Sequence, residues 1–180
     1  TCVIKPSSEA PNTIMEFVDF MQKIDLPRGV LNFVCGAGRT VGNALSKSPI
    51  TGIISLTGSV GAGQKVITAA AENITKVSLE LGGKAPAIVC ADANLDLAIN
   101  SVVSSKVIFS GQVCNCAERV YVEDSIYDEF VDKLTKKMSE VTIEDALTGV
   151  NADMSSLVSK DQLDKISEMV EFAKKEGAEV

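Results

Sequence analysis

Two residues of this chain have the side chains and the local settings of catalytic groups. Cys114 follows Ser110-Gly111-Gln112-Val113, a glycine-containing loop between a predicted helix and a predicted strand. Such a cysteine acts as a nucleophile where nearby donors or positive charge favour its thiolate, whereas a lone cysteine is more often a small buried hydrophobe. Glu80 lies in Val77–Leu81, a strand otherwise suited to burial. A carboxylate buried there is expected to be either a general base or one half of an ion pair.

The composition removes several kinds of catalysis and binding. The 180 residues include no histidine, which excludes Ser-His-Asp and Cys-His catalysis, histidine metal ligands and a histidine pH switch. Seventeen basic against 24 acidic residues give a net charge of −7, which argues against nucleic-acid binding. No apolar run approaches the ~18 residues of a membrane-spanning helix, and no secretory leader is recognisable. A base for any nucleophile must therefore come from the carboxylates.

The five cysteines indicate a reducing compartment rather than a disulfide framework. Their number is odd, no Cys-x-x-Cys occurs, and three of them lie in apolar, strand-like segments. We therefore predict a cytoplasmic protein without a metal site. The spacing of Cys114 and Cys116 hardly suits chelation of one metal, but it leaves open a reversible redox role for the two thiols.

Short β-rich runs alternate with helical patterns in the first half and predict an α/β fold. Strands are predicted at 1–5, 30–34, 52–56 and 76–81, with helices at about 14–21, 40–47 and 59–72. The strands are apolar enough to be buried on both faces, which is typical of a parallel sheet with right-handed crossovers. Ligands bind such sheets beyond the carboxyl ends of the strands, so the turns that follow the four strands are the expected place for chemistry.

The second half has a different pattern, and the boundary is expected near Gly82. Strands are predicted at 85–90 and 119–122, and helices at 95–109, after Ser125 and at 161–176. Ser125 is a candidate N-cap for a helix whose apolar face includes Ile126, Phe130, Leu134 and Met138. Residues 142–158 show no clear period, and Gly177 stands where the last helix should stop.

Two turns at the expected ligand edge carry candidate anion-binding groups. Leu56-Thr57-Gly58-Ser59 ends a strand and begins a helix, where free backbone N–H groups, the helix dipole and the Ser59 hydroxyl would face an anion. On position alone, Ser59 is more often a simple helix cap. Lys5 would hold ribose hydroxyls or a phosphate, although an isolated lysine is more often solvated. Gly36-Ala37-Gly38 matches a dinucleotide fingerprint only weakly, because the third glycine falls one residue late.

Four of these segments together resemble the sequence signatures of the aldehyde dehydrogenase family. Leu79–Lys84 resembles its glutamate signature and Ser110–Cys114 its cysteine signature. The key residues of the two are 34 positions apart, as is usual in the family. Val3–Ser7 and Leu56–Ser59 resemble its two cofactor motifs, in the same order. The matches extend over about residues 1–140, and Gln112–Val120 is closest to the lactaldehyde and glycolaldehyde branch.

The resemblance implies part of a Rossmann-like NAD(P)-binding domain over 1–81 and the first part of a cysteine-bearing α/β catalytic domain over 82–180. Cys114 would attack a small aldehyde to form a thiohemiacetal, its backbone N–H would bind the oxyanion, and Glu80 would activate water to hydrolyse the thioester. Asn115 is a candidate contact for a substrate hydroxyl, from adjacency alone. NAD or NADP would contact Ile4, Lys5, Pro6, Ser7, Ser8, Gly38, Gly58, Ser59, Leu81 and Gly82.

Three departures from the family pattern have consequences. Ser8 stands where a glutamate usually grips the ribose hydroxyls, so we expect NADP to be accepted better than in strict NAD enzymes. Phe109 replaces an asparagine that is common five residues before the nucleophile, which is expected to alter packing behind the cysteine loop. Ser155–Val158 stands where the family usually has Gly-Pro-Leu-Ile.

The resemblance covers only a middle portion of the family's longer chains. An asparagine that supplies a second oxyanion donor would lie upstream of Thr1, and a second cofactor-gripping glutamate and the oligomerisation segment would lie downstream. The parent protein would be a homodimer or homotetramer, and the 180-residue chain alone is expected to have little or no activity. The alternatives are a family member of the succinate-semialdehyde dehydrogenase type and a non-catalytic nucleotide-binding remnant of the same fold.

Overall fold

The first part of the chain folds as two β-α-β pairs. The computed structural model describes residues 1–149 and 151–179, which divide into two compact units, unit 1 at Thr1–Gly82 and unit 2 from Gly83 onward. Unit 1 comprises β1 (Cys2–Ile4), α1 (Asn12–Lys23), β2 (Leu31–Phe33), a π-helical turn (Gly38–Gly42), α2 (Asn43–Lys47), β3 (Ile53–Gly58), α3 (Val60–Ala71) and β4 (Lys76–Leu81). The division falls beside the boundary expected from the sequence, while the roles of the two units stay a prediction.

The strands of unit 1 are parallel. β1 lies beside β2 with Cys2 opposite Leu31, and β3 lies beside β4 with Ile53 opposite Lys76. Among the described residues, hydrogen bonds join the four strands as two separate pairs rather than as one sheet. The connection from β2 to β3 runs through α2, which packs against α3. The α/β class with parallel strands is therefore confirmed, with the strands divided between two sheets.

The strands of unit 1 are more exposed than the sequence predicts. Ile53 at the start of β3 is 63% exposed, and Val77 in β4 is 37% exposed. Among the described elements of unit 1, α3 is the helix that packs against both β3 and β4. Ala69 and Ala70 of α3 are buried. Because one helix can cover only one face of a strand pair, the prediction of burial on both faces is wrong within this unit.

Unit 2 has the larger aliphatic core. It comprises β5 (Pro86–Val89), α4 (Leu95–Val107), a 3₁₀ turn (Ile108–Gly111), β6 (Arg119–Val122), a 3₁₀ turn (Asp124–Ile126), α5 (Tyr127–Ser139) and α6 (Lys160–Lys175). β5 and β6 pair in parallel, with Pro86 opposite Arg119. Val89, Ile99, Val102, Val103 and Phe130 form the buried cluster between strands and helices. This cluster supports the segment between α4 and β6, which carries the predicted nucleophile.

Helix α5 presents the predicted apolar face, but it does not begin as expected. Phe130 is 1% exposed, Ile126 and Leu134 pack against the core, and Met138 is 38% exposed. Ser125 lies inside the preceding 3₁₀ turn, and no side chain among the described residues caps α5. The prediction of a Ser125 cap is wrong, because this turn already places Ser125 in helical backbone. Acidic residues in the first turn of α5 complement the helix dipole instead.

The segment 142–158, in which Val150 lies outside the described residues, is held by local polar contacts rather than by a regular element. The backbone N–H and the hydroxyl of Thr142 both donate to Asp153 Oδ2, each over 2.9 Å. These hydrogen bonds lower the pKa of the Asp153 carboxyl. Ile143 and Met154 form an isolated parallel bridge beside them. Such contacts leave no hydrophobic period in the sequence.

The backbone that leads to Cys114 is left-handed at two residues other than glycine. Helix α4 ends at Val107, two residues earlier than predicted. Phe109 (φ 48°, ψ 36°) and Ser110 (φ 58°, ψ 36°) then adopt the left-handed region, followed by Gly111 at φ 76°. A bulky residue in this region costs about 1–2 kcal/mol, whereas asparagine adopts it readily. The asparagine common in the family therefore suits this backbone, and Phe109 strains it.

We predict that Phe109→Asn stabilises the protein by about 1 kcal/mol, because it relieves this strain. Little burial is lost, since Phe109 is 75% exposed. The measurement is the urea midpoint of unfolding of the natural full-length polypeptide. Phe172→Asn in α6 is the matched control, since Phe172 is 60% exposed in ordinary helical backbone and gains nothing from the change. A Phe109→Asn variant no more stable than the wild type contradicts the strain argument.

Candidate active site

Lys5 joins the carboxyl ends of β1 and β2. Its Nζ donates to the backbone O of Pro6 over 2.6 Å and to that of Gly36 over 3.3 Å. The side chain is half-buried rather than solvated, as an isolated lysine usually is. A positive charge is thus held at the edge where the sequence predicts a ribose or phosphate contact.

The other cofactor candidates at this edge surround Lys5. Ile4 is half-buried and Pro6 is buried. Because neither side chain has a hydrogen-bond donor, both contribute to this edge through the backbone. Ser7 and Ser8 are exposed, and the Ser7 Oγ accepts a hydrogen bond from the backbone N–H of Glu9 over 3.2 Å. Gly38 is exposed and begins the π-helical turn after β2.

The carboxyl ends of β3 and β4 meet at the start of α3. Gly58 pairs with Leu81 at the last position of the two strands. Ser59 is the N-cap of α3, and its Oγ accepts from the backbone N–H of Ala62 over 3.2 Å. The capping role of Ser59 is therefore confirmed. The first N–H groups of a helix have no partner within it, so this end of α3 suits an anion such as a pyrophosphate.

Gly63 brings α3 close to β4. A Cβ at Gly63 would lie 2.8 Å from Cδ1 of Leu81, so a larger residue here would have to displace the Leu81 side chain. Leu81 is half-buried by this contact, and Gly82 behind it is exposed. Gly63 was not among the residues predicted from the sequence, although a glycine inside an otherwise alanine-rich helix is a signal of close packing.

Glu80 is exposed in β4, opposite Thr57 of β3. Its neighbours in the strand, Leu79 and Leu81, are half-buried. Side chains alternate between the two faces of a strand, and Glu80 lies on the face that α3 leaves open. The prediction that this carboxylate is buried is wrong, and it is available to solvent.

Cys114 and Cys116 have opposite environments in unit 2. Cys114 is exposed, whereas Cys116 is 1% exposed. The backbone N–H of Cys116 donates to the carbonyl of Val113 over 3.1 Å, which closes a turn around Cys114 and the exposed Asn115. A substrate from solvent can reach Cys114 without rearrangement and cannot reach Cys116. Exposure thus separates the nucleophile candidate from its nearest rival.

An ion pair that the sequence analysis missed joins Lys84 to Glu118 within unit 2. The hydrogen bond from Lys84 lowers the pKa of the Glu118 carboxyl. Arg119 Nε donates to the carbonyl of Lys84 over 2.9 Å beside it.

Two kinds of feature are absent from the described part of the chain. Within residues 1–149 and 151–179, no three His, Cys, Asp or Glu side chains lie together as a metal site requires. Over the same ranges, none of the helices combines the length and the apolar composition needed to span a bilayer.

Comparison with known proteins gives consistent matches over this chain. The aldehyde dehydrogenase family profile matches residues 1–180. Lactaldehyde dehydrogenase of Escherichia coli is 49% identical over the whole chain, which covers 38% of that protein. Its crystal structure superposes with a TM-score of 0.95, again over 100% of this chain and 38% of that one.

Two more distant relatives extend the comparison. The succinate-semialdehyde dehydrogenase (NADP(+)) of Escherichia coli is 38% identical over the whole chain and 37% of its own length. Betaine aldehyde dehydrogenase of Staphylococcus aureus, in complex with NAD+, is 32% identical with a TM-score of 0.90, over 99% of this chain and 35% of that one. The chain thus spans little more than a third of the length of these relatives. Because the family profile matches every residue and both solved relatives share the fold, the chain belongs to the aldehyde dehydrogenase family.

Proposed function

We propose that this chain is part of an NAD(P)-dependent aldehyde dehydrogenase that oxidises a small hydroxyaldehyde, such as lactaldehyde, to its acid. The observation that carries the proposal is the exposed Cys114 in the cysteine signature, beside a buried Cys116. The 49% identity to lactaldehyde dehydrogenase favours a hydroxyaldehyde over succinate semialdehyde, for which the identity is 38%. Asn115, exposed next to Cys114, is the proposed contact for the substrate hydroxyl.

Cys114 is the proposed nucleophile. Its thiolate Sγ forms a bond to the carbonyl carbon, the carbonyl electron pair moves to oxygen, and the backbone N–H of Cys114 donates to that oxyanion. Bound NAD(P)+ would supply the hydride acceptor for this carbon, which balances the two-electron oxidation of the aldehyde. As the hydride leaves, the carbonyl reforms and the substrate remains as a thioester on Sγ.

Glu80 is the proposed base for the second half of the reaction. Its carboxylate takes a proton from water, the resulting hydroxide attacks the thioester carbon, and the carbon–sulfur bond breaks to return the Cys114 thiolate. The exposure of Glu80 suits this role, because a base that activates water needs access to it. None of the 180 residues is a histidine, so the steps assigned to this chain use a thiolate and a carboxylate.

The two strand-pair ends of unit 1 suit the proposed cofactor. Lys5 and Ser7 would bind the adenosine ribose, and Gly38 would flank the adenine. Ser59 would donate its hydroxyl hydrogen to the pyrophosphate while its oxygen caps α3. Leu81 and Gly82 would lie against the nicotinamide, with Leu81 held in place over Gly63.

We infer the cellular location and the oligomeric state of the full-length protein from its cysteines and its family. All five cysteines are free and four of them are exposed, which supports a reducing, cytoplasmic location. The family resemblance supports a homodimer or homotetramer for the full-length protein.

Substitution of the two proposed catalytic residues should separate the two half-reactions. Cys114→Ala should abolish reduction of NAD(P)+ by lactaldehyde. Glu80→Gln should still form one equivalent of reduced cofactor per site rapidly. The later turnovers should be slower by about 10²–10⁴-fold, because only thioester hydrolysis needs the base. Stopped-flow absorbance of the reduced cofactor in the full-length protein measures both phases. Cys90→Ala, at an exposed cysteine of the same unit, is the matched control and should match the wild type. Normal turnover by Cys114→Ala excludes the mechanism.

The cofactor choice should depend on Ser8. An exposed serine at this position carries no negative charge of its own, and Glu9 lies one step later than the family's glutamate, so we expect comparable KM values for NAD and NADP. Ser8→Glu should raise the KM for NADP about tenfold or more relative to NAD, through like-charge repulsion. Ser8→Gln, of similar size without the charge, should leave the ratio unchanged. A thousandfold preference of the wild type for NAD refutes this prediction.

The isolated 180-residue chain should be far less active than the full-length protein. One missing oxyanion donor alone lowers turnover by about 10²–10³-fold, and the family's second donor is expected outside this chain. Steady-state assays of both polypeptides with glycolaldehyde measure the ratio. Equal turnover numbers sink the prediction.

A further inference from the structure

The loop before Cys114 has a backbone that must be held by its surroundings. Phe109, Ser110 and Gly111 have positive φ angles in succession, and only the glycine adopts such a conformation without cost. Strained backbone of this kind persists where neighbouring contacts over-determine it, and it is concentrated at functional sites. Contacts with neighbouring residues must therefore hold this loop in its conformation.

Two side chains of the loop hydrogen-bond a segment that is more than forty residues away in sequence. Ser110 Oγ donates to the carbonyl of Ser155 over 2.9 Å and accepts from its backbone N–H over 3.1 Å. Gln112 Oε1 accepts from the backbone N–H of Val158 over 3.0 Å. Gln112 Nε2 donates to the carbonyl of Phe109 over 2.9 Å, which fixes the side chain across its own loop. Both residues thus tie the loop to the 155–158 segment.

The other side of the turn is fixed as well. The backbone N–H of Ala117 donates to Ser105 Oγ on α4 over 3.0 Å, and Cys116 is buried. Cys114 therefore lies between two anchored points, Gln112 before it and Cys116 after it, while its own side chain is exposed.

We propose that Ser110 and Gln112 are positioning residues that hold the Cys114 thiol and backbone N–H for attack, with the 155–158 segment as their support. This inference rests on the proposed role of Cys114 as nucleophile. The two residues touch the loop and its support rather than the reacting atoms. Their loss should therefore lower the rate of the step at Cys114 and leave aldehyde and cofactor binding largely unchanged.

The test uses the natural full-length polypeptide with Ser110→Ala and Gln112→Met, the second of which keeps the length of the side chain and removes both hydrogen bonds. Each variant should lower kcat for lactaldehyde and the rate of Cys114 alkylation by iodoacetamide about tenfold, with the KM for aldehyde within about twofold. Gln112→Glu keeps the acceptor for Val158 N–H and should recover part of the loss. Alkylation is followed at each cysteine by peptide mass spectrometry.

Ser156→Ala is the matched control, because Ser156 is exposed in the supporting segment. It should react and turn over like the wild type. Wild-type rates in both Ser110→Ala and Gln112→Met overturn the inference and leave the proposed function standing. A wild-type Cys114 no more reactive than Cys2 overturns both. Circular dichroism shows whether Gln112→Met folds. If it does not, Ser110→Ala and Gln112→Glu test the inference. Wild-type values of kcat and of the Cys114 alkylation rate in both variants then overturn it.

Discussion

In each of the three strand pairs that the described residues form, the two strands run parallel. The connection between paired strands therefore returns to the starting end of the sheet, and the carboxyl ends of both strands lie at one edge. Parallel pairing is the constraint from which the placement of the cofactor candidates in unit 1 follows. It brings the end of β1 beside the turn after β2, where Lys5 bonds the carbonyl of Gly36. It also brings Leu81 opposite Gly58, beside the N-terminus of α3. The side chains at these edges differ, but the topology that gathers them is the same.

The segment between α4 and β6 shows how unit 2 would meet two opposing needs if Cys114 has its proposed role. A nucleophile has to be exposed to its substrate, whereas an oxyanion donor on the same residue has to be fixed in space. The buried Cys116 and the anchored Gln112 fix the backbone on either side of Cys114, and the Cys114 side chain stays exposed. The chain turns sharply after α4, and this turn requires the strained φ angles of Phe109 and Ser110.

Local signals predicted most elements, and failures occurred where the deciding contact is distant in sequence. β4 and β6 have the predicted bounds, because an apolar run between turn residues is a local property. The exposure of Glu80 was not predictable, since it depends on which face of the strand α3 covers. The support of the cysteine loop by Ser155 was likewise hidden, because side chain-to-backbone bonds across 45 residues leave no period in the sequence. Cys114, Glu80, Lys5 and Ser59 were candidates from residue type and position alone. The family resemblance supplied their roles, which stay predictions.

Ser59 illustrates why a structural role and a functional role need not exclude each other. A hydroxyl has two acceptor lone pairs and one donor hydrogen, and the cap uses only an acceptor, toward Ala62 N–H. The hydrogen remains available for a phosphate oxygen at the same helix end. The capping contact also orients the oxygen over the first turn of α3, where the unpartnered N–H groups lie. Stability and anion binding therefore draw on different parts of one side chain, and the observed cap neither weakens nor establishes the cofactor role. The same reasoning applies to Lys5, whose bonds to two carbonyls leave a third ammonium donor for a ligand.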